Sequence, residues 1–193
     1  MPIKFKSRIL ITSIAAITIS NSIISQTNSD LGSISGNFQI DAANYRKDTI
    51  IKADPGSEVF RYNAFGNVNY VKGGFSAGVR FESYNPPLLG YLPGYKGSGV
   101  PYRFARYKHN DIDITVGNFY EQFGSGITLR SYENRGLLYD NALDGMRVIF
   151  TPKNGITLKG LVGKQRTYFS LSPGVVRGFD GEINFMELFD SIL

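Results

Sequence analysis

Along "FSAGVRFES", residues 75–83, every second side chain is apolar. Phe75, Ala77, Val79 and Phe81 share one face of an extended chain; Ser76, Gly78, Arg80 and Glu82 share the other. A period of two cannot lie on one side of a helix, so this stretch predicts a strand with one greasy and one wet face. The pattern recurs. "EVFRYNAFGNVNYV" sets Phe60, Tyr62, Ala64, Gly66, Val68 and Tyr70 against Arg61, Asn63, Asn67 and Asn69. "NDIDITVGN" sets Ile112, Ile114 and Val116 against Asp111, Asp113, Thr115 and Gly117. Further segments carry Met146, Val148 and Phe150, then Ile156, Leu158 and Val162. In "VVRGFDGEINFM", Val175, Phe179, Ile183 and Phe185 oppose Asp180, Glu182 and Asn184, and "SISGNFQIDAANY" offers Ile34, Phe38 and Ile40.

A soluble sandwich also alternates, because each of its sheets has one wet face. Two features favour a membrane barrel instead. The alternating segments run to roughly 9–13 residues, near the ~9–11 a tilted strand needs to cross hydrocarbon, whereas strands in soluble proteins run to about 5–6. Aromatics also stand near segment ends, at Tyr45, Phe60, Tyr70, Phe75, Tyr84, Tyr102, Phe119 and Phe169, as interfacial girdles require. A lipid-facing Lys or Arg at the midplane costs ~2–4 kcal/mol, so Arg80, Glu82, Asp113 and Glu182 are expected to point inward.

Connections alternate long and tight, as in outer-membrane barrels: 46–58 is long, Lys72 to Gly74 tight, Asn85 to Pro101 long, His109–Asn110 tight, Pro152 to Gly155 short, and "SLSPG", Ser170 to Gly174, medium. If Tyr120 to Leu143 is one excursion, the strand count is eight. If Ile127 to Glu133 is a spanning strand, it is nine. The loop asymmetry favours eight. The expected fold is therefore all-β, an antiparallel up-and-down outer-membrane β-barrel of about eight strands, complete or part of a larger barrel.

The start of the chain reads as an export signal over residues 1–25, leaving residues 26–193 as the barrel domain. "MPIKFKSR" is basic and Ile9 to Ile19 is apolar but too short to span a bilayer, with cleavage expected between Ser22 and Gln26. Much of the formal charge of +5 belongs to that leader; without Lys4, Lys6 and Arg8, 18 bases face 16 acids. No basic cluster remains to suggest nucleic acid as a partner. Cysteine is absent, which excludes disulfides and thiolate chemistry.

Between Thr115 and Val148 the chain crowds charges around a glycine-rich breaker. Arg80, Glu82, Asp113, Glu121, Arg130, Glu133, Arg135, Asp140 and Asp144 form the candidate charged network of a barrel lumen or mouth. Glu121 and Arg130 flank "FGSG" and could meet across it. Such a network either selects solutes or pins the loop, and a narrow eight-stranded lumen favours pinning. Catalytic residues are not expected. Ser125 lacks the G-x-S-x-G context because Phe123 stands two before it. His109, the single histidine, sits in a polar turn. No metal or cofactor site is expected; "ADPGSE" and "RGFDGE" do not have EF-hand spacing.

The blocks "GGFSAGVRFESYNPPLLGY", "DITVGNFYEQFGSGITLRSYENRGL", "DNALDGMRV", "LKGLVGKQR" and "VVRGFDGEIN" resemble an uncharacterised family of Bacteroidetes outer-membrane-type β proteins. The resemblance runs from Gly32 to about Asn184 and implies export, a barrel-like fold and no established activity. Members of that family are usually longer, so the resemblance leaves two expectations, a complete barrel or the N-terminal portion of a bigger one. The function expected is non-enzymatic: a structural, solute-passage or surface-assembly role in the cell outer membrane, with residues 120–143 at or in the barrel mouth. The expected partners are outer-membrane lipid and other cell-envelope proteins. The alternatives are an outer-membrane hydrolase of lipid or glycan, and a secreted sandwich that binds a partner.

Overall fold

The computed structural model describes residues 31–135 and 139–190, so the expected signal segment 1–25 lies outside the described residues. Eight long strands form one antiparallel sheet. They are β1 (Ser33–Asn44), β2 (Phe60–Lys72), β3 (Phe75–Tyr84), β4 (Gly97–His109), β5 (Ile112–Phe119), β8 (Leu143–Lys153), β9 (Ile156–Thr167) and β10 (Ser170–Ile183). Two short strands, β6 (Glu133–Asn134) and β7 (Tyr139–Asp140), pair with each other apart from it. A short helix, α1 (Phe185–Asp190), follows β10. Each long strand pairs with the next one in the chain, and β1 and β10 are the two edges. The count of eight, with 120–142 as one excursion, is as expected.

Three connections at one end are two-residue turns: Gly73–Gly74, Asn110–Asp111 and Asn154–Gly155. Gly73, Asn110 and Gly155 take positive φ there, the conformation that tight hairpins demand. The opposite end carries 45–59, 85–96 and 120–142. Two boundaries differ from expectation. β4 begins at Gly97, because glycine and proline disguise its first five residues while the ladder to β3 continues through Tyr84↔Gly97. The β9–β10 turn is Tyr168–Phe169, and "SLSPG" belongs to β10 as an irregularity between Leu171 and Val175.

The sheet is rolled. Glu82 on β3 and Arg166 on β9 are four strands apart, roughly 19 Å on a flat sheet. Yet Arg166 Nη2 donates to Glu82 Oε2 at 2.6 Å. The side chains meet across the hollow of a trough.

The two faces are inverted relative to a soluble protein. Asn63, Glu82, Asp113 and Thr115 are buried on the hollow side. Val68, Val79, Phe81, Val116, Met146 and Phe150 are exposed, and Phe179 is 74% exposed. No second sheet covers them among the described residues. Four residues expected in the aromatic girdles belong inside instead. Tyr84 and Phe119 are buried, Phe169 packs on Tyr84, and Tyr102 stacks on Tyr120.

Candidate functional site: a plugged polar hollow

At Gly117 β5 parts from β4, while its ladder to β8 runs on to Phe119↔Leu143 before the chain leaves the wall. The last β4–β5 pair is Phe104↔Gly117, and the Asn118 side-chain oxygen then accepts the Arg103 N–H at 2.8 Å in place of a backbone carbonyl. Gly117 has φ +94°, and a Cβ there would stand 2.4 Å from the Arg103 carbonyl, so only glycine fits. Residues 120–131 then form a hairpin over the polar face. The Phe123 N–H donates to Leu129 O (3.0 Å) and the Ser131 N–H to Glu121 O (2.8 Å), with Gly124 and Gly126 at positive φ in the turn. The β6–β7 hairpin follows.

This plug is held from β2 to β10. Phe123 packs with Phe119, Leu143 and Leu161, and its ring fills the space beside Gly178 where a Cβ would stand. Tyr120 stacks on Tyr102 with ring centroids 5.5 Å apart. Arg135 lies over the Phe65 ring at 4.5 Å. Near the plug, Phe65, Tyr84 and Tyr95 form a second cluster, joined by Tyr91, Tyr168 and Phe169.

The charges form two networks. In the first, Arg80 contacts Glu82 (3.6 Å), Glu133 (3.0 Å) and Asp140 (3.9 Å). Arg166 grips Glu82 and Asp140, and Arg135 pairs with Glu133. Tyr84 donates to Glu82, and Tyr120 to Asp140. Three guanidiniums thus face three carboxylates. In the second, Arg147 bonds Glu121 at 3.1 Å and stands 4.0 Å from Asp113, which Arg106 clamps with two nitrogens. Lys159 reaches Glu121, Asp180 and Glu182.

Seven of the nine expected residues therefore meet in the hollow: Arg80, Glu82, Asp113, Glu121, Glu133, Arg135 and Asp140. Two do not. Arg130 lays its guanidinium over the Tyr132 ring rather than pairing with Glu121 across the turn, because Arg147 and Lys159 already hold that carboxylate. Asp144 shares the outward phase of Met146 and pairs with the exposed Arg103 at 3.3 Å. Sequence reasoning missed Arg106, Arg147 and Lys159, although all three stand in the polar phase of their strands. It also missed Arg166, for which alternation gives the wrong side. Val162 and Lys164 point out, and the irregularity at the end of the β9–β10 ladder turns Arg166 in.

Between the plug and the wall, Tyr91, Glu133, Tyr139, Asp140 and Arg166 help to line a cavity of about 20 Å³, the room one water needs. The hollow is filled here. Among the described residues no group of three or more His, Asp or Glu could hold a metal, and His109 stacks on Tyr107 at a turn.

The plug carries a pH-sensitive fastening. Burial pushes the Glu133 carboxyl up, but Arg135 and Arg80 outweigh it and hold it below its ordinary 4.5. A depressed folded-state pKa gives stability that is complete above the ordinary value and is lost as pH falls through the folded one. Acidification below about pH 4.5 is therefore expected to loosen residues 131–135 before the sheet melts. Hydrogen exchange of those amides measures it, and Glu133→Gln should abolish the acid step.

Residues 5–191 match a family of unknown function, DUF6029. No curated protein and no solved structure matches the chain.

Proposed function

Since the chain belongs to the DUF6029 family of unknown function, we propose from its geometry that it is a wall segment of a plugged, non-enzymatic outer-membrane β-barrel with a structural or assembly role. The observation that carries this reading is the bare apolar face of the sheet, opposite the polar hollow. It runs from Phe38 and Ile40 on β1 through Val68, Val79 and Phe81, over Val116 and Met146, to Val162, Val175 and Phe179. The ladder row through Val68 and Val79 carries Arg103, then Asp144 and Lys164 beyond Asn118, and is apolar again at Val175. An apolar face of that extent, uncovered among the described residues, suits hydrocarbon as its neighbour.

The filled hollow argues against open solute passage and for a plug that must move before anything crosses. Among the described residues it also brings no histidine to a serine, the pairing a serine hydrolase would need.

The register gives a paired test. Val79 is exposed in the apolar band, and Arg80 is buried in the hollow. Val79→Arg is expected to cost ~2–4 kcal/mol in the bilayer and to deplete the heat-modifiable, membrane-inserted species. Arg80→Ala should insert normally while its plug loosens. Quantitative recovery of the mature chain as a monomer in detergent-free buffer would overturn the reading.

A further inference from the structure

The parting of β5 from β4 leaves a notch in the wall. Beyond Phe104↔Gly117, the start of β4 keeps β3 on one side and has no strand on the other. The far wall of the gap is the β9–β10 turn. The notch encloses about 230 Å³ and is lined by Val100, Pro101, Phe169 and Leu171. Pro101 places no N–H donor there. The floor holds the Arg103–Asp144 pair. Lys164, exposed, is the ladder neighbour of Asp144 across β8 and β9. Arg103 and Lys164 thus stand on one row with a single carboxylate, beside an apolar slot that the plug-bound Arg166 also borders.

We propose that this notch is a binding site for one anionic phospholipid, with an acyl chain between Val100–Pro101 and Phe169–Leu171 and its phosphate on Arg103 and Lys164. The proposal rests on the membrane reading above. The excess positive charge selects an anion, and the slot selects an amphiphile over a free ion. A phosphate accepts charge-assisted hydrogen bonds from both bases. Neither base belongs to the networks that hold the plug, so the site can be removed without opening the hollow.

The mature chain is refolded into phosphatidylcholine bilayers with and without a minority of phosphatidylglycerol. Folding is scored by heat-modifiable migration, and lipid retained after extraction is counted by native mass spectrometry. The wild type is expected to fold in both bilayers and to keep one phosphatidylglycerol in preference to phosphatidylcholine. The double variant Arg103→Gln, Lys164→Gln should fold equally and lose that preference about tenfold, as expected from removing about 1.4 kcal/mol of phosphate contact. Leu171→Trp, which fills the slot, should lower retention with both bases intact. Equal retention of the two lipids by an inserted wild type, or undiminished preference in an inserted double variant, overturns the site and leaves the membrane reading standing. Failure of the wild type to insert in either bilayer overturns both.

Discussion

Arg166→Ala is expected to destabilise the fold more than any other single truncation in the hollow, by about 3–5 kcal/mol. The Arg166 side chain is 3% exposed and that of Glu82 is 2% exposed. One guanidinium satisfies Glu82 on β3, Asp140 on β7 and the Tyr168 carbonyl in the β9–β10 turn. Its removal leaves two buried carboxylates to share Arg80, at 3.6 and 3.9 Å, with one tyrosine hydroxyl each, and the penalty is the desolvation of under-compensated charge rather than one lost contact. Urea titration of the heat-modifiable form measures the effect. The double variant Arg166→Met, Glu82→Leu should recover most of the loss, since an apolar pair of similar volume carries no such penalty. A single variant as stable as wild type would show that water reaches the pair and that the trough is more open than its contacts imply.

Excision of the plug tip is expected to convert a silent protein into a conducting one. Residues 122–130 lie between Glu121 and Ser131, whose backbones are already bonded at 2.8 Å. A Gly–Ser link can therefore replace them without strain at the cut. The loss removes Phe123 from its place against Gly178 and Leu161 but leaves Glu121 to Arg147 and Lys159. In planar bilayers the intact chain should give a flat baseline and the excised chain resolvable steps. Residual selectivity should favour cations, because Asp113, Glu121, Asp180 and Glu182 outnumber Arg106, Arg147 and Lys159. A wild type that conducts as readily as the excised form would refute the plug.

What the sequence disclosed follows from which interactions are local. Alternation fixed the faces of Val79 and Arg80, of Ile112 and Asp113, and of Phe179 and Asp180, because side-chain phase needs only neighbouring residues. Turn chemistry at Gly73, Asn110 and Gly155 placed three connections for the same reason. The inward aromatics were misassigned because a tyrosine at a strand end is equally at home at an interface and in a hollow. Only the rolling of the sheet, which brings Tyr84 to Phe169, decides between them. Asp144 was misassigned because it was read with the loop charges, although it shares the outward phase of Met146 along β8. Arg166 was invisible because its strand changes phase just before it. The plug's existence was legible from its length and charge. Its partners were not, since Glu133 and Asp140 bond to strands more than 25 residues away in the chain.

Among the described residues nothing pairs with the outer margins of β1 and β10, and in the bilayer proposed above that has a thermodynamic consequence. Hydrocarbon supplies neither donors nor acceptors, so a bare row of peptide groups along strands of 12 and 14 residues cannot rest against acyl tails. Entry into the bilayer and the capping of those two margins by other backbone must then be a single coupled event. If the cap comes from a separate polypeptide, the yield of inserted protein will climb steeply with its concentration.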